Sequence, residues 1–276
     1  MNERTGKPHG KVSITGGHGV RVHTYTAPED GWAVNTHFVE LPTQLIAIDG
    51  QYTIPYAKEA LAYAATLAKP VTRLYVTHYH PDHLLGAAAF GLPIHALSEV
   101  KAKIDAVGDR VASEEHEKFP DDIPARAEKP SLLVTPAAEA IEGVGFEFLH
   151  LQHAETEHAL MIGLPEHRIL ITQDLVYNGV HVFISERSFD TWLAALQHYK
   201  AQQYDRILPG HGAPGGRELY DRMRDYLSAA RELLTQSSDG DDLKARLIAA
   251  FPEFGGHAML DHQKRFLFPP HKQAKV

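Results

Sequence analysis

The chain has no cysteine, no long apolar segment and no excess of basic residues. Its 276 residues include 27 Lys and Arg against 35 Asp and Glu, which gives a formal net charge of −8. The lack of cysteine excludes disulfide bonds and thiolate metal ligands. No apolar run reaches about 18 residues and residues 1–11 are polar, so we expect neither a membrane span nor a secretory signal peptide. We therefore expect a cytoplasmic protein. The acidic balance argues against nucleic acid as a partner, so we expect a small-molecule substrate.

The most informative stretch is the His-x-His-x-Asp-His sequence at residues 78–83, directly after a predicted strand. Three imidazoles and one carboxylate in six positions offer four metal ligands, and a strand followed by a turn holds them rigidly. His78 and His80 are two positions apart and can point to the same side. Asp82 and His83 lie past the turn and can reach a second metal. The motif therefore predicts a site for two metals.

This motif resembles the signature of the metallo-β-lactamase superfamily, and the resemblance extends over residues 20–214. It implies an α/β fold, an αββα sandwich with the metals at one edge of the paired sheets. We predict a metallo-β-lactamase-like domain over residues 1–214 and a helical C-terminal extension over residues 215–276 that packs on the same domain. The extension is expected either to cover the active site or to form a homodimer contact. The absence of cysteine excludes the β-lactamase type whose second zinc is held by a cysteine.

Two residues compete for the next ligand position, His153 and Glu155. In the family pattern this ligand is followed at once by Thr, ten positions on by Pro and nineteen positions on by the bridging Asp. Starting from Glu155, these places hold Thr156, Pro165 and Asp174, whereas starting from His153 none of them matches. The spacing favours Glu155, although most members of the superfamily carry a histidine here.

A glutamate at this position resembles the alkylsulfatase branch of the superfamily, in which acidic ligands occupy both places. Asp82, Glu155 and Asp174 together carry three negative charges against the four positive charges of two divalent ions, and a bridging hydroxide would neutralise the sum. Such an oxygen-rich site is harder than an all-histidine site, so zinc is the expected metal with manganese or iron as alternatives. His153 and His158 then become candidates for contacts to the ligands or to the substrate.

The resemblance also implies the remaining members of the site. Asp174 follows a predicted strand over residues 168–172 and would bridge the metals, and the Pro-Gly-His-Gly sequence at 209–212 supplies His211. Tyr177 stands where lactonases of the superfamily carry a phenol that assists the substrate carbonyl, with simple aromatic packing as the alternative. The predicted catalytic residues are Asp82 and Tyr177. The predicted ligands are His78, His80 and Glu155 for the first metal, Asp82, His83 and His211 for the second, and Asp174 between them.

These residues predict a metal-dependent hydrolase, in which a metal-bridging hydroxide attacks a small ester-like substrate such as a lactone, a thioester or a β-lactam. Three alternatives remain open: a sulfatase-like hydrolase, a mononuclear iron oxidoreductase similar to persulfide dioxygenases, and a metal-binding scaffold without catalysis. Because one fold serves many chemistries, the resemblance does not name the substrate.

Apolar periodicity predicts the elements around the motifs. Alternation predicts strands over residues 11–15, 20–26 and 33–41, arranged as a meander, and a further short strand over residues 44–49. Helical spacing predicts helices over residues 55–67, 98–107, 188–203, 217–235 and 241–251. His23 and His37 fall within the strands and are expected to be hydrogen-bonded structural histidines, and Asp49 is expected to support the metal loop.

Residues 108–130 change in character, with interleaved charges and three prolines. We predict a loop here, which would serve either as a substrate lid or as a solvated connection. His116 and Phe119 are the residues in it that we expect to matter if it is a lid.

Overall fold

The computed structural model describes residues 9–17 and 19–269. The start of the polar N-terminal segment, residues 1–8, and the end of the predicted tail, residues 270–276, lie outside the described residues. No helix among the described residues is both long and apolar enough to cross a membrane.

The first sheet has seven strands that lie in chain order. The first three form the predicted meander and the fourth extends it antiparallel, and the last three add in parallel because connecting segments cross over between them. The strands are β1 (Lys11–Gly17), β2 (Val20–Thr26), β3 (Asn35–Glu40), β4 (Leu45–Ile48), β5 (Val71–Tyr75), β6 (Ile94–Leu97) and β7 (Leu132–Val134).

The second sheet has five strands in the order β12-β11-β10-β9-β8. All neighbouring pairs are antiparallel except β11 and β12, which run parallel. The strands are β8 (Ala138–Ile141), β9 (Val144–Gln152), β10 (His158–Leu164), β11 (Ile169–Tyr177) and β12 (Arg206–His211).

Alternating side chains show how the layers stack. In β10, Leu160 and Ile162 belong to the core shared with the first sheet, whereas Ala159 and Met161 belong to a second core that includes Trp192. Because successive residues of a strand point to opposite faces, the second sheet is packed on both sides. One face meets the first sheet and the other meets helices, which confirms the predicted αββα sandwich.

Seven α-helices are present in the described ranges. Helix α3 packs on β6 and β7, while α4 and α5 pack on β11. The tail forms three helices, and Leu219 and Leu260 from it enter the second core. The helices are α1 (Ile54–Ala65), α2 (Pro81–Leu84), α3 (Ser98–His116), α4 (Phe189–Lys200), α5 (Glu218–Gln236), α6 (Gly240–Ala250) and α7 (His257–Leu267).

The predicted boundary at Gly108 is wrong, because α3 continues to His116. Gly108 lies inside the helix and is buried. A Cβ at this position would lie 3.1 Å from Ile104 Cγ2 and 3.2 Å from Lys129 Nζ, so the tight packing favours glycine here. Of the charges that suggest a loop, Arg110 and Glu114 lie on the exposed side of the helix and pair at 2.8 Å, whereas Glu115 is buried at 2% exposure. The irregular segment is therefore residues 117–131 only.

Two strands also differ from their predicted extents. The short strand β8 was not anticipated, and β11 runs on to Tyr177 instead of ending at residue 172. The pairing of β11 with β12 is irregular around Gln173, which has a positive φ of 45°. This irregularity lies next to Asp174, so it sets the direction of that side chain.

Candidate metal centre

The seven predicted ligands meet at one edge of the sandwich, because most of them follow strand ends that share this edge. His78 lies three residues after β5, His211 ends β12, and Asp174 lies in the second half of β11. Each of these side chains is at most 3% exposed. The structure brings the seven residues together in two buried groups, first His78, His80, Glu155 and Asp174, and second Asp82, His83 and His211.

The second group has the spacing of a tetrahedral metal site. With metal–ligand bonds of about 2.1 Å, two ligand atoms of a tetrahedron lie about 3.4 Å apart. His83 Nε2 lies 3.4 Å from His211 Nε2, and Asp82 Oδ2 lies 3.2 Å from His211 Nε2 and 3.5 Å from His83 Nε2. These three atoms could hold one divalent ion.

The first group is slightly more open. Glu155 Oε1 lies 3.0 Å from His80 Nδ1, and Glu155 Oε2 lies 3.8 Å from His78 Nε2. Asp174 approaches both groups, with Oδ2 3.6 Å from His78 Nε2 and Oδ1 3.3 Å from His83 Nε2. Asp174 is thus placed to contact two ions at once.

Unpaired polar atoms test whether this cluster fits a metal. His78 Nε2, both carboxylate oxygens of Glu155 and Asp174 Oδ1 are buried and make no hydrogen bond within the described ranges. Buried polar atoms are normally paired, so a convergent set of unpaired nitrogen and oxygen atoms is the arrangement expected of ligands to a cation. The two groups are therefore suited to binding metal ions.

Hydrogen bonds behind the histidines leave their inner nitrogens free for a metal. His211 Nδ1 donates to the carbonyl oxygen of Trp32 at 2.8 Å, so Nε2 carries the lone pair of the neutral ring. His83 Nδ1 lies 2.7 Å from Asp49 Oδ2, which also accepts from the Thr77 hydroxyl at 2.8 Å. Asp49 thus supports the metal loop as predicted. Such outer partners fix the ring orientation and tautomer of metal-binding histidines.

Burial and charge shift the pKa values of the cluster. Burial raises the pKa of Glu155 to about 7. Burial alone would lower the pKa of His211, but the carboxylates of Asp174 and Asp82 outweigh it and raise that pKa to about 10. The same carboxylates overcome burial and raise the pKa of His83. A ligand must be unprotonated, so a divalent ion bound here would replace these protons as the source of positive charge.

Of the two competing residues, Glu155 is in the cluster and His153 is on the surface. Glu155 is 1% exposed, whereas His153 is exposed and has a positive φ of 51°. The backbone turns here because His153 N donates to Glu157 O at 3.0 Å. His158 Nδ1 lies 3.0 Å from His150 Nε2 and does not reach the cluster. Neither His153 nor His158 is in the cluster or lines the cavity beside it, so the expectation that they contact the ligands is wrong.

Glycines allow the chain to approach the cluster closely. A Cβ at Gly210 would lie 1.8 Å from Asp174 Oδ1, so any larger residue would displace that carboxylate. A Cβ at Gly86 would lie 2.3 Å from the carbonyl oxygen of Gly50, behind the metal loop. Glycine is needed at both positions for space.

Tyr177 lies against the cluster with its hydroxyl already engaged. It donates to Asp174 Oδ2 at 2.7 Å, and its ring stacks on His211 with 4.5 Å between centroids. Burial, followed by the charge of Asp174, raises the pKa of Tyr177 well above its ordinary value. The phenol therefore stays protonated and can donate.

The two predicted structural histidines are hydrogen-bonded as expected. His23 lies 2.7 Å from the Tyr63 hydroxyl and 2.9 Å from Glu40 Oε2. His37 lies 2.9 Å from Thr24 Oγ1 and donates from Nε2 to the carbonyl oxygen of Pro209 at 3.1 Å. The second contact joins the two sheets near the cluster.

A cavity of about 130 Å³ opens beside the cluster and is bordered by His80, Asp82, Glu155, Asp174 and Tyr177. Helix α3 contributes to it through the segment 110–115, where the sequence predicts a loop. Neither His116 nor Phe119 lines it. His116 instead donates from Nδ1 to the carbonyl oxygen of Ile123 at 2.7 Å.

The opposite wall of the cavity is largely apolar and was not predicted from the sequence. It includes four residues of α7, and the apolar tail had suggested only that this segment docks on another surface. The tail therefore lies over the candidate site, one of its two expected positions. The lining residues outside the cluster and α3 are Trp32, Tyr79, Pro81, Phe183, Ser185, Glu186, Met259, His262, Arg265 and Phe266.

Comparison with known proteins identifies a superfamily whose fold this chain shares. Residues 30–211 match the sequence model of the metallo-beta-lactamase superfamily. The linear primary-alkylsulfatase of a Pseudomonas species is 26% identical over 242 residues, which cover 73% of this chain and 45% of that relative. The chain thus spans less than half the length of this curated relative.

Solved structures share the fold at low sequence identity. The metallo-beta-lactamase from Pontibacter korlensis is 21% identical with a TM-score of 0.61, over 79% of this chain and 99% of that one. The mono-zinc form of the metallo-beta-lactamase FIM-1 from Pseudomonas aeruginosa is 21% identical with a TM-score of 0.56, over 80% of this chain and 96% of that one.

Proposed function

The chain belongs to the metallo-β-lactamase superfamily, and from this premise we propose that it is a metal-dependent hydrolase of a small ester-like substrate. The observation that carries the proposal is the convergence of seven buried side chains beside an open cavity, three of which, His78, Glu155 and Asp174, have unpaired nitrogen or oxygen atoms. His78, His80 and Glu155 would hold one ion, Asp82, His83 and His211 another, and Asp174 would contact both. Zinc is the expected metal, with manganese or iron as alternatives because three of the seven ligands are carboxylates.

Two divalent ions in this cluster would lower the pKa of a water between them and polarise the bond that is attacked. In hydrolysis the water oxygen bonds to the acyl carbon, the bond from that carbon to the leaving oxygen breaks, and the leaving alcohol takes up a proton. Asp82 borders the cavity, so its carboxylate can accept the water proton and return it to the leaving group. Tyr177 borders the same space, and its hydroxyl can turn from Asp174 to the substrate carbonyl.

A sulfatase is the second candidate, and a specific observation favours it. The acidic residue at the first group, Glu155, matches the branch that the sequence suggested, and the similar Pseudomonas protein is a linear primary-alkylsulfatase. In this alternative the substrate is a sulfate ester, and inorganic sulfate is the product.

Metal analysis with a substrate panel tests the proposal. Protein purified without added metal is assayed for bound Zn, Mn and Fe, and then for hydrolysis of lactones, thioesters, β-lactams, carboxylic esters and alkyl sulfates. We expect about two ions per chain and hydrolysis that is lost on chelation and restored by metal. Sulfate release alone would establish the sulfatase. One iron per chain with oxygen consumption and no hydrolysis would refute the proposal, as would bound metal without any turnover.

A further inference from the structure

We infer that the cavity beside the cluster selects its substrate by an uncharged apolar substituent of about six carbon atoms, and that helix α7 supplies the selecting wall. The inference rests on the proposed function, because it takes this cavity as the substrate site. The α7 residues of this wall lie outside residues 30–211, the range that matches the superfamily model. Trp32 and Phe183, which complete the wall, lie inside that range.

An unbroken series of rings leads from the cluster to the surface. The Phe183 ring meets His80 edge-on, with 5.3 Å between centroids, and lies 5.9 Å from Phe266 and from His262. His262 lies 4.8 Å from Trp32 on the other side. A substrate bound at His80 would therefore have its substituent in contact with aromatic faces, which favour apolar groups.

Helix α7 is held in place by its buried Gln263, which is 1% exposed. The side-chain oxygen Oε1 of Gln263 accepts from Ile184 N at 2.9 Å, and its side-chain nitrogen Nε2 donates to Val182 O at 3.3 Å. These bonds join α7 to the segment that carries Phe183. Arg187, four residues after Phe183, also donates to the backbone oxygen of Leu267 at the end of α7, so polar contacts from both segments position the two sides of the wall together.

The charges at the rim do not provide a site for an anionic substituent. Arg110 is paired with Glu114 at 2.8 Å, and Arg265 lies 3.7 Å from Glu115. Glu186 adds a further negative charge to the lining. Since both arginines already face carboxylates, an anionic substituent finds no unpaired cation among the described residues of this rim. Ser185 adds one buried hydroxyl without a partner in the described part of the chain, and the rest of the selecting surface is mainly apolar.

The volume sets the size of the substituent. An apolar cavity of about 150 Å³ in another protein binds benzene, so the 130 Å³ here fits a group of about six carbons. A longer chain would extend past Phe266, which is 47% exposed at the outer end of the wall. Selectivity should therefore rise up to this length and then level off.

Kinetics of the metal-loaded enzyme on 4-nitrophenyl esters from acetate to decanoate provide the first test. We expect kcat/KM to rise about threefold per methylene up to hexanoate and to be flat beyond it. Phe266→Ala should lower kcat/KM for the hexanoate ester about fivefold more than for the acetate ester. Leu132→Ala is the matched control, because Leu132 of β7 is similarly exposed at 43% and lies outside the cavity.

Binding provides a second test that needs no turnover. The chain has two tryptophans, Trp32 in the wall and Trp192 in the helical core. Hexanoate should change the fluorescence of the metal-loaded protein and bind about 80-fold more tightly than acetate, because it has four more methylenes. Trp32→Phe should remove the response, which assigns the signal to the wall.

The two tests separate the inference from the proposed function. Tight hexanoate binding without hydrolysis of any ester supports the wall and counts against ester hydrolysis. Hydrolysis that is independent of chain length and unchanged in Phe266→Ala overturns the inference and leaves the hydrolase intact. Equal binding of acetate and hexanoate also overturns the inference, whether or not esters are cleaved.

Discussion

The floor of the cavity and its wall are built in different ways. The floor is polar, and its side chains come from strand ends and tight turns within residues 78–211, each fixed by neighbours such as Asp49 behind His83. The wall is aromatic and comes from loops and from α7, and Gln263 is one of the few polar groups that hold it. Under the proposed function, the reaction would depend on rigid strand ends, whereas selection would depend on a helix that can change without disturbing them.

The strongest test of the floor removes a ligand of the second group. Asp82→Ala and His211→Ala should each reduce kcat/KM by about 10³-fold or more, because each deletes a charge or lone pair that a metal requires. Neither change removes a core apolar group, so far-UV circular dichroism and the cooperative unfolding transition should persist. Near wild-type turnover in either folded variant would show that the second group is not used.

The pair Glu155 and His153 tests the first group. Glu155→Ala should lower the metal content from about two ions per chain to about one, measured by elemental analysis after desalting. His153→Ala should retain both ions and near wild-type turnover, since His153 is exposed and turned away from the cluster. If the two results were exchanged, the structural assignment of Glu155 would be wrong.

Gly210 tests whether the position of Asp174 matters beyond its identity. In Gly210→Ala the new methyl group would lie 1.8 Å from Asp174 Oδ1, so the carboxylate must move. We expect turnover to fall about 10²-fold, as is typical when a catalytic group is displaced by about 1 Å. Gly145→Ala is the control, because its nearest neighbour is Glu166 Oε1 at 4.0 Å. Equal activity of the two variants would contradict the prediction.

The smallest expected effect concerns the attachment of the wall. Gln263→Leu leaves Ile184 N and Val182 O unpaired, which should lower the free energy of unfolding by about 2 kcal/mol. Metal content should remain unchanged, while the preference for longer esters should weaken. Gln236→Leu on the exposed face of α5 is the matched control and should alter stability by less than about 0.5 kcal/mol. Loss of metal in Gln263→Leu would show that floor and wall are not separable.

Much of the fold and the floor could be predicted from the sequence because their signals are local. The ligands of residues 78–83 adjoin one another, and the spacing from Glu155 to Thr156 and Asp174 is set by a hairpin and a strand of fixed length. The sequence does not show which way a side chain turns at such a hairpin. His153 was expected near the site, but its positive φ directs it outward.

The wall could not be predicted because its contacts join distant segments. In the sequence, Gln263 is a polar residue of an amphipathic helix, for which the pattern predicts no particular partner. Only the tertiary fold brings its side chain to the backbone of Ile184. The length of α3 failed for a different reason, since Gly108 resembles a helix end but is buried against Ile104. In both cases tertiary packing overrides the local pattern.

Trp32 belongs to both regions at once. Its carbonyl oxygen accepts the Nδ1 proton of His211, and its ring, at a residue with φ of 60°, stacks on Tyr52 and contacts His262. A substituent that shifts the ring acts on the residue that sets the basicity of His211. If the proposed substituent and ion bind as described, occupancy of the wall and affinity of the second group for its ion would be thermodynamically linked. By reciprocity, a bound ion would then alter the affinity of the cavity for an apolar group by the same factor.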